Sequence, residues 1–221
     1  MEKKPGIWIK FFGVIAKGQT YLNYFYLFLA FPLGLIYFIF LAVGLSVGIA
    51  TIIVLIGLAI LLLVVAGWWL LAGFERVMAN SMLKVDIPPM STPGMDKAAT
   101  SWEKLGAFLS NPVTWKSLVY LLMKFPLGIL SFGVVITLTA TTIVFLTAPL
   151  TYTFLQPEII GWNGTLWRID TLGEAFIASA AGILLLFISL HIVNGLAWLS
   201  GRFARVMLGN PQPAVEIASP S

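Results

Sequence analysis

No charged residue occurs between Gly18 and Phe74, none between Phe125 and Pro157, and, His191 apart, none between Ala175 and Gly201. A helix crosses a bilayer with about 20 apolar residues, so the first stretch holds two spans and each of the others holds one. Composition agrees: the chain is 59% hydrophobic and 10% charged, with a mean hydropathy of +0.97. Soluble domains carry about 25% charged residues, so a water-soluble chain of this kind could not cover its own surface. The expectation is an all-α integral membrane protein with four spans near 28–48, 51–73, 125–147 and 175–201. The first two are expected to turn back on each other through the small residues of Val43–Gly48.

The chain also repeats itself. Thr20–Gly34 (TYLNYFYLFLAFPLG) and Thr114–Gly128 (TWKSLVYLLMKFPLG) align without a gap at an offset of 94. The same offset pairs Trp8 and Lys10 with Trp102 and Lys104. A second offset of 129 relates WWLLAGFERVM (Trp68–Met78) to AWLSGRFARVM (Ala197–Met207). Internal periodicity of this kind marks two copies of one supersecondary unit. The expected architecture is a single membrane domain over 1–221 made of two tandem helix-hairpin repeats, 7–90 and 101–210. The 35 residues between the two offsets map to an extracytoplasmic insert at 147–174. Two spans per repeat predict equal orientation of the copies, about a pseudo-two-fold axis along the membrane normal.

Charge placement sets the expected orientation. Lys3, Lys4, Lys10 and Lys17 precede the first span; Arg76, Lys84, Lys97, Lys104, Lys116 and Lys124 fall between the second and third; Arg202 and Arg205 follow the fourth. Arg168 alone lies on the other side. Basic residues concentrate in cytoplasmic loops, which puts both termini and the central loop in the cytoplasm. The net charge of +4 therefore reports topology and contact with a lipid bilayer, and gives no reason to expect nucleic acid. Lysines interrupt the N-terminal apolar run, so a cleavable signal is not expected. With no cysteine, disulfides and thiolate metal sites are excluded.

Local signals refine the picture. Trp8–Ala16 and Trp102–Ser110 mix aromatic, aliphatic and lysine residues, which suits short interfacial helices. Asn111 followed by Pro112 reads as an N-cap and first helical residue. Thr171 with Glu174 reads as a capping box, T-x-x-E. Proline lacks a backbone donor and crowds the preceding turn, so a helix break, as a kink or the start of a new helix, is expected at Pro32 with Gly34 and at Pro126 with Gly128.

Four segments in order, VDIPP (Val85–Pro89), NPVTWKSLVYLLMKFPLGI (Asn111–Ile129), IDTLGEA (Ile169–Ala175) and HIVNGLAWLSGRFARVMLG (His191–Gly209), resemble the "putative sensor" family. Domains of that family stand at the N-terminus of many bacterial and archaeal histidine kinases. The resemblance implies a four-span module in a bacterial or archaeal cell membrane that passes a signal to a cytoplasmic partner. The sequence extends only to Ser221 and carries no kinase segment, so output is expected through a separate chain.

Candidate chemistry is sparse. In the insert, Tyr152, Phe154, Glu158, Trp162, Trp167 and Arg168 combine aromatic rings with charge and are the expected ligand or partner contacts. An interfacial aromatic belt with solvated charges explains the same residues. Asn163-Gly164-Thr165 matches a glycosylation acceptor but is weak evidence in a prokaryotic chain. Within the last span His191, Asn194 and Trp198 share a helix face expected to point inward, because lipid offers no hydrogen bonds. An intramembrane histidine suits proton sensing; a neutral ring bonded to a neighbouring carbonyl is the simpler reading. One histidine without cysteine or an intramembrane carboxylate makes a metal site improbable, no cofactor is expected, and no serine has a base beside it, so the chain does not read as an enzyme. Two functions remain: a sensor or accessory module relaying a signal to a separate partner such as a histidine kinase, or a structural subunit of a larger membrane complex docking through small-residue ridges such as Gly44-x-x-x-Gly48.

Overall fold

The computed structural model describes residues 11–90, 101–155, 158–160 and 166–209. Helix dominates. Among the described residues four helices are long and apolar enough to cross a membrane: α1 (Gly18–Ala50), α2 (Ile56–Leu83), α4 (Pro112–Leu155) and α5 (Leu172–Leu208). A shorter helix, α3 (Ser101–Ser110), precedes α4 where an interfacial helix was expected. Of its expected partner, Trp8–Lys10 lies outside the described residues, and residues 13–16 form a turn. Strands β1 (Glu158–Ile160) and β2 (Leu166–Arg168) pair antiparallel between α4 and α5. The protein is thus an all-α, multi-pass membrane protein with one small β-hairpin.

Local chemistry explains the boundaries. Asn111 caps α4, its Oδ1 accepting from the Val113 amide at 3.0 Å. Thr171 and Glu174 form the expected capping box at the start of α5. The Glu174 amide donates to Thr171 Oγ1 (3.2 Å), and Glu174 Oε2 accepts from the Thr171 and Asp170 amides (3.1 and 3.0 Å). The α1–α2 turn differs from expectation. Val43–Gly48 is helical, and the chain reverses at Thr51 and a 3-10 turn, Ile52–Val54, closed by Leu55 at a left-handed φ of 60°. Small residues at 43–48 serve helix packing: a Cβ at Gly44 would lie 2.5 Å from Val64, and one at Gly48 2.7 Å from Leu61. Gly44-x-x-x-Gly48 is therefore covered by α2 within the hairpin and is no free docking ridge.

At Pro32 with Gly34 and at Pro126 with Gly128, α1 and α4 continue as helix, so no new helix begins there. Each proline removes one donor, leaving the carbonyl four residues earlier without its usual partner. Membrane helices tolerate that loss when their neighbours and packing hold them. Packing is close here. A Cβ at Gly34 would sit 2.7 Å from the Lys124 carbonyl oxygen, and one at Gly128 2.6 Å from that of Ala30. Glycine lets the two backbones touch, with Cα–H groups facing carbonyls.

The chain divides into two compact units: residues 1–29 with 129–197 (unit 1), and 30–128 with 198–221 (unit 2). The core of unit 2 gathers Tyr37, Leu41, Val64, Trp68, Ala72, Tyr120, Leu121 and Ala204. Within it, Gly34 meets Lys124 while Ala30 meets Gly128, so α1 and α4 run antiparallel where they cross. Exchanging the two helices has its axis across them, not along them as equal orientation of the repeats predicts. In unit 1, Ala148, Ile169, Ala175 and Ala178 form a small core against which Phe145 and Tyr152 pack.

A buried carboxylate cluster as candidate functional site

The GFERVM segment of α2 places Glu75 in the core of unit 2, where it is fully buried. Three donors from two other helices converge on it. Tyr37 of α1 donates to Oε1 at 3.0 Å. Tyr120 of α4 donates to Oε2 at 3.1 Å. Lys124, one turn further along α4 and itself buried, reaches the same oxygen at 2.8 Å. The ammonium also lies 5.9 Å from the Tyr120 ring centroid, within cation–π range. An isolated carboxylate in hydrocarbon would be prohibitive; counter-charge and two hydroxyls make it tenable. The close crossing at Gly34 and Gly128 sets the register, since Gly34 abuts the backbone of Lys124 itself.

Beside this cluster the VDIPP segment is clasped. Asn80 brackets Ile87 from both sides, its Nδ2 donating to the Ile87 carbonyl (3.2 Å) and its Oδ1 accepting from the Ile87 amide (3.0 Å). Arg76 donates to the Ile87 carbonyl at 3.0 Å, and Arg205 to that of Asp86 at 3.1 Å. The arginines are related by the offset of 129. Gly201 leaves room for Val85, 2.6 Å from where its Cβ would be. The clasp thus ties the end of α2 to the end of α5.

Unit 1 carries a neutral counterpart. Gln19 Nε2 donates to Asn23 Oδ1 (2.8 Å), Asn23 Nδ2 to Asn194 Oδ1 (2.8 Å), Asn194 Nδ2 to Thr20 Oγ1 (3.2 Å), and Thr20 to the Val14 carbonyl (3.0 Å). Donors follow one another head to tail, from α1 across to α5 and back.

Of the intramembrane residues expected to face inward together, only Asn194 does so. His191 is exposed. Its Nδ1 is 2.8 Å from the Phe187 carbonyl, which can only accept, so Nδ1 carries the proton. Its ring stacks on Phe11 with centroids 4.9 Å apart. Trp198 in unit 2 is also exposed, with Arg202 5.7 Å from its ring. At about 100° per residue His191 and Trp198 nearly coincide around the helix, and Asn194 lies about 60° from His191, at the edge of the arc nearest the buried Val193 and Ala197.

The insert candidates are dispersed. Of the expected insert 147–174, residues 147–155 continue α4 and 172–174 open α5. Tyr152 is committed to the small core of unit 1, whereas Phe154 is exposed on the last turn of α4. Glu158 stands opposite Arg168, and Ile159 opposite Trp167, in the β-hairpin register. Arg168 Nε is 4.0 Å from Asp170, an exposed pair of little energetic weight. Trp162 and the Asn163–Thr165 tripeptide lie outside the described residues.

Neither Glu75 nor Tyr37 stood out in the sequence reading. A signal was nevertheless present where the repeats align. Glu75 corresponds to Ala204 at offset 129, and Lys124 to Ala30 at offset 94. The two positions of opposite charge, one in each copy, are each alanine in the other, so the charged pair joins the copies and its repeat counterpart is Ala30 with Ala204.

Comparison with known proteins adds the family. No curated protein matches the chain, nor does any solved structure. The family model described as "Putative sensor" matches residues 26–208, which include the carboxylate cluster, the VDIPP clasp and all or most of each long helix. The chain belongs to that family and is a sensor-type membrane module.

Proposed function

We propose that this chain is a non-catalytic sensor or accessory module that relays a membrane or extracytoplasmic signal to a separate cytoplasmic partner, such as a histidine kinase. The observation that carries this reading is the single carboxylate on which α1, α2 and α4 converge. A shift of α4 along α2 would break the Tyr120 and Lys124 contacts together, so these contacts are made or lost as a set. Such a two-state element is what a relay requires. The VDIPP clasp lies where the helix ends leave the core, a suitable place to hand on the shift. Charge distribution supports a cytoplasmic location for both termini and the central loop, in a bacterial or archaeal cell membrane.

The test is to isolate the full chain from native membranes after crosslinking, identify its stoichiometric partner, and assay that partner with wild-type chain or with Glu75→Gln. A partner whose activity changes between the two supports the relay. A partner whose assembly needs the chain but whose activity ignores the substitution supports the second reading, a structural subunit of a larger membrane complex. The α1–α2 tip favours that second reading, since Ile53 and Leu55 are 89% and 78% exposed in a stretch, Ile52–Gly57, that has no polar side chain.

A further inference from the structure

Unit 1 contains a crevice of about 340 Å³ between α1, α4 and α5, at the lower end of the roughly 300–1,000 Å³ typical of small-molecule sites. Its walls are mainly aliphatic, among them Leu138, Leu146, Leu186 and Leu190. The hydroxyls on the wall are largely spent inside the protein. Thr139 donates to the Val135 carbonyl (2.6 Å), which obliges Tyr24, 2.7 Å away, to donate to Thr139. Thr20 donates to Val14 and accepts from Asn194. Little remains to hold a polar solute, so the wall selects hydrocarbon. The lining includes Tyr21, which is 55% exposed. Lys17, four residues earlier and just ahead of α1, is exposed as well. An apolar slot within membrane-spanning helices, a tyrosine at its rim and a cation beyond it match the successive layers of one phospholipid.

We propose that this crevice holds one acyl chain of an anionic phospholipid whose phosphate is met by Lys17. The site stands whether or not the signalling reading holds. The alternative occupants are a neutral lipid, taken up without preference, or a second copy of the chain.

The test is native mass spectrometry of the full chain released from nanodiscs of equal phosphatidylglycerol and phosphatidylcholine. The expected result is one retained lipid per chain, with phosphatidylglycerol preferred roughly fivefold, the size of one lysine acting at an anionic surface. Lys17→Ala, an exposed change, should equalise the two lipids without altering the fold. Leu190→Trp should fill the slot and remove the retained lipid, with circular dichroism confirming that the helices remain. Equal retention of both lipids by the wild type, no retained lipid, or a dimer mass in its place overturns the proposal. So does a preference that survives Lys17→Ala, or a lipid retained by a folded Leu190→Trp chain.

Discussion

The two units solve one problem, polar groups inside apolar helices, in opposite ways. Unit 2 concentrates charge: Glu75 and Lys124 are buried and bonded, with two tyrosines completing the carboxylate's shell. Among its described residues unit 1 buries none, relying on amides and hydroxyls that pass hydrogen bonds from Gln19 through Asn194 to Val14. The contrast arises on shared scaffolding. Thr20 bonds the Val14 carbonyl at 3.0 Å, and Thr114 bonds that of Phe108 at 2.8 Å, the same interaction displaced by 94 residues. A neutral chain can slip or re-pair at small cost, whereas an ion pair in hydrocarbon is either made or ruinously broken. Conformational choice is therefore expected in unit 2 and plain cohesion in unit 1.

The sharpest test of unit 2 is all-or-none. Leu41 and Leu121 belong to one core cluster because α1 and α4 cross antiparallel. Parallel helices in repeat register would instead place Leu41 level with Val135, its counterpart at offset 94, and separate it from Leu121 by roughly 20 Å along the axis. Since the chain has no cysteine, Leu41→Cys with Leu121→Cys gives a clean crosslinking pair. Efficient linkage by a short bifunctional reagent is expected; its absence in a folded chain would reverse the crossing. This matters for topology, because the charge bias starts α1 and α4 from the same membrane face while their crossing in unit 2 points them oppositely. Labelling a cysteine at Thr92 from outside intact cells bears on the same question, and the charge bias expects no reaction.

The largest energetic effect should follow Glu75→Ala. It leaves the Lys124 ammonium buried without its counter-charge, a loss of about 3–5 kcal/mol. Replacing both partners by leucine should recover much of that. Denaturant unfolding in detergent micelles measures both, and a single variant as stable as the double would remove the case for a strong ion pair.

Next comes Gly34→Ala. Its methyl would meet the Lys124 backbone at 2.7 Å, a clash no side-chain rotation relieves, and overpacking of this kind costs about 1–3 kcal/mol. Gly73→Ala is the control, since nothing lies within 4 Å of its Cβ position. It should be neutral or slightly stabilising. Equal effects at the two glycines would mean the backbones do not touch.

Which parts were legible in the sequence follows from range of interaction. The four spans could be read because the absence of charge is a property of a segment alone, and the caps at Asn111 and Thr171 because their partners lie within three residues. The α1–α2 turn could not. Thr51–Leu55 carries no glycine or proline, and membrane turns escape the polar signature that water imposes. Glu75 was hidden at the flank of an apolar run, where a carboxylate ordinarily meets solvent. Its partners stand 38, 45 and 49 residues away, and only tertiary structure brings them together. Proline in Phe-Pro-Leu-Gly starts no new helix for the opposite reason: its local preference is real, but close packing at Gly34 and Gly128 holds both helices continuous.

The smallest effects should come from unit 1, and they separate its two polar residues on α5. Asn194→Leu breaks the chain at its centre: Asn23 Nδ2 loses its acceptor and Thr20 Oγ1 its donor, while the bonds of Gln19 to Asn23 and of Thr20 to Val14 remain. Interhelical hydrogen bonds in membranes average about 0.6 kcal/mol, so a loss between that and roughly 1.7 kcal/mol is expected. His191→Leu removes only a bond to its own helix, Nδ1 to the Phe187 carbonyl, and a stack on Phe11. That carbonyl can already serve the backbone amide at 191, and leucine suits an exposed position facing lipid. The change in stability should therefore stay within about 0.5 kcal/mol. Any signalling output should persist as well, because the ring lies in unit 1 and makes none of the Glu75 contacts. A His191→Leu chain that unfolds as readily as Asn194→Leu, or that keeps its stability and loses its output, would move the sensitive element from the carboxylate of unit 2 to the histidine of unit 1.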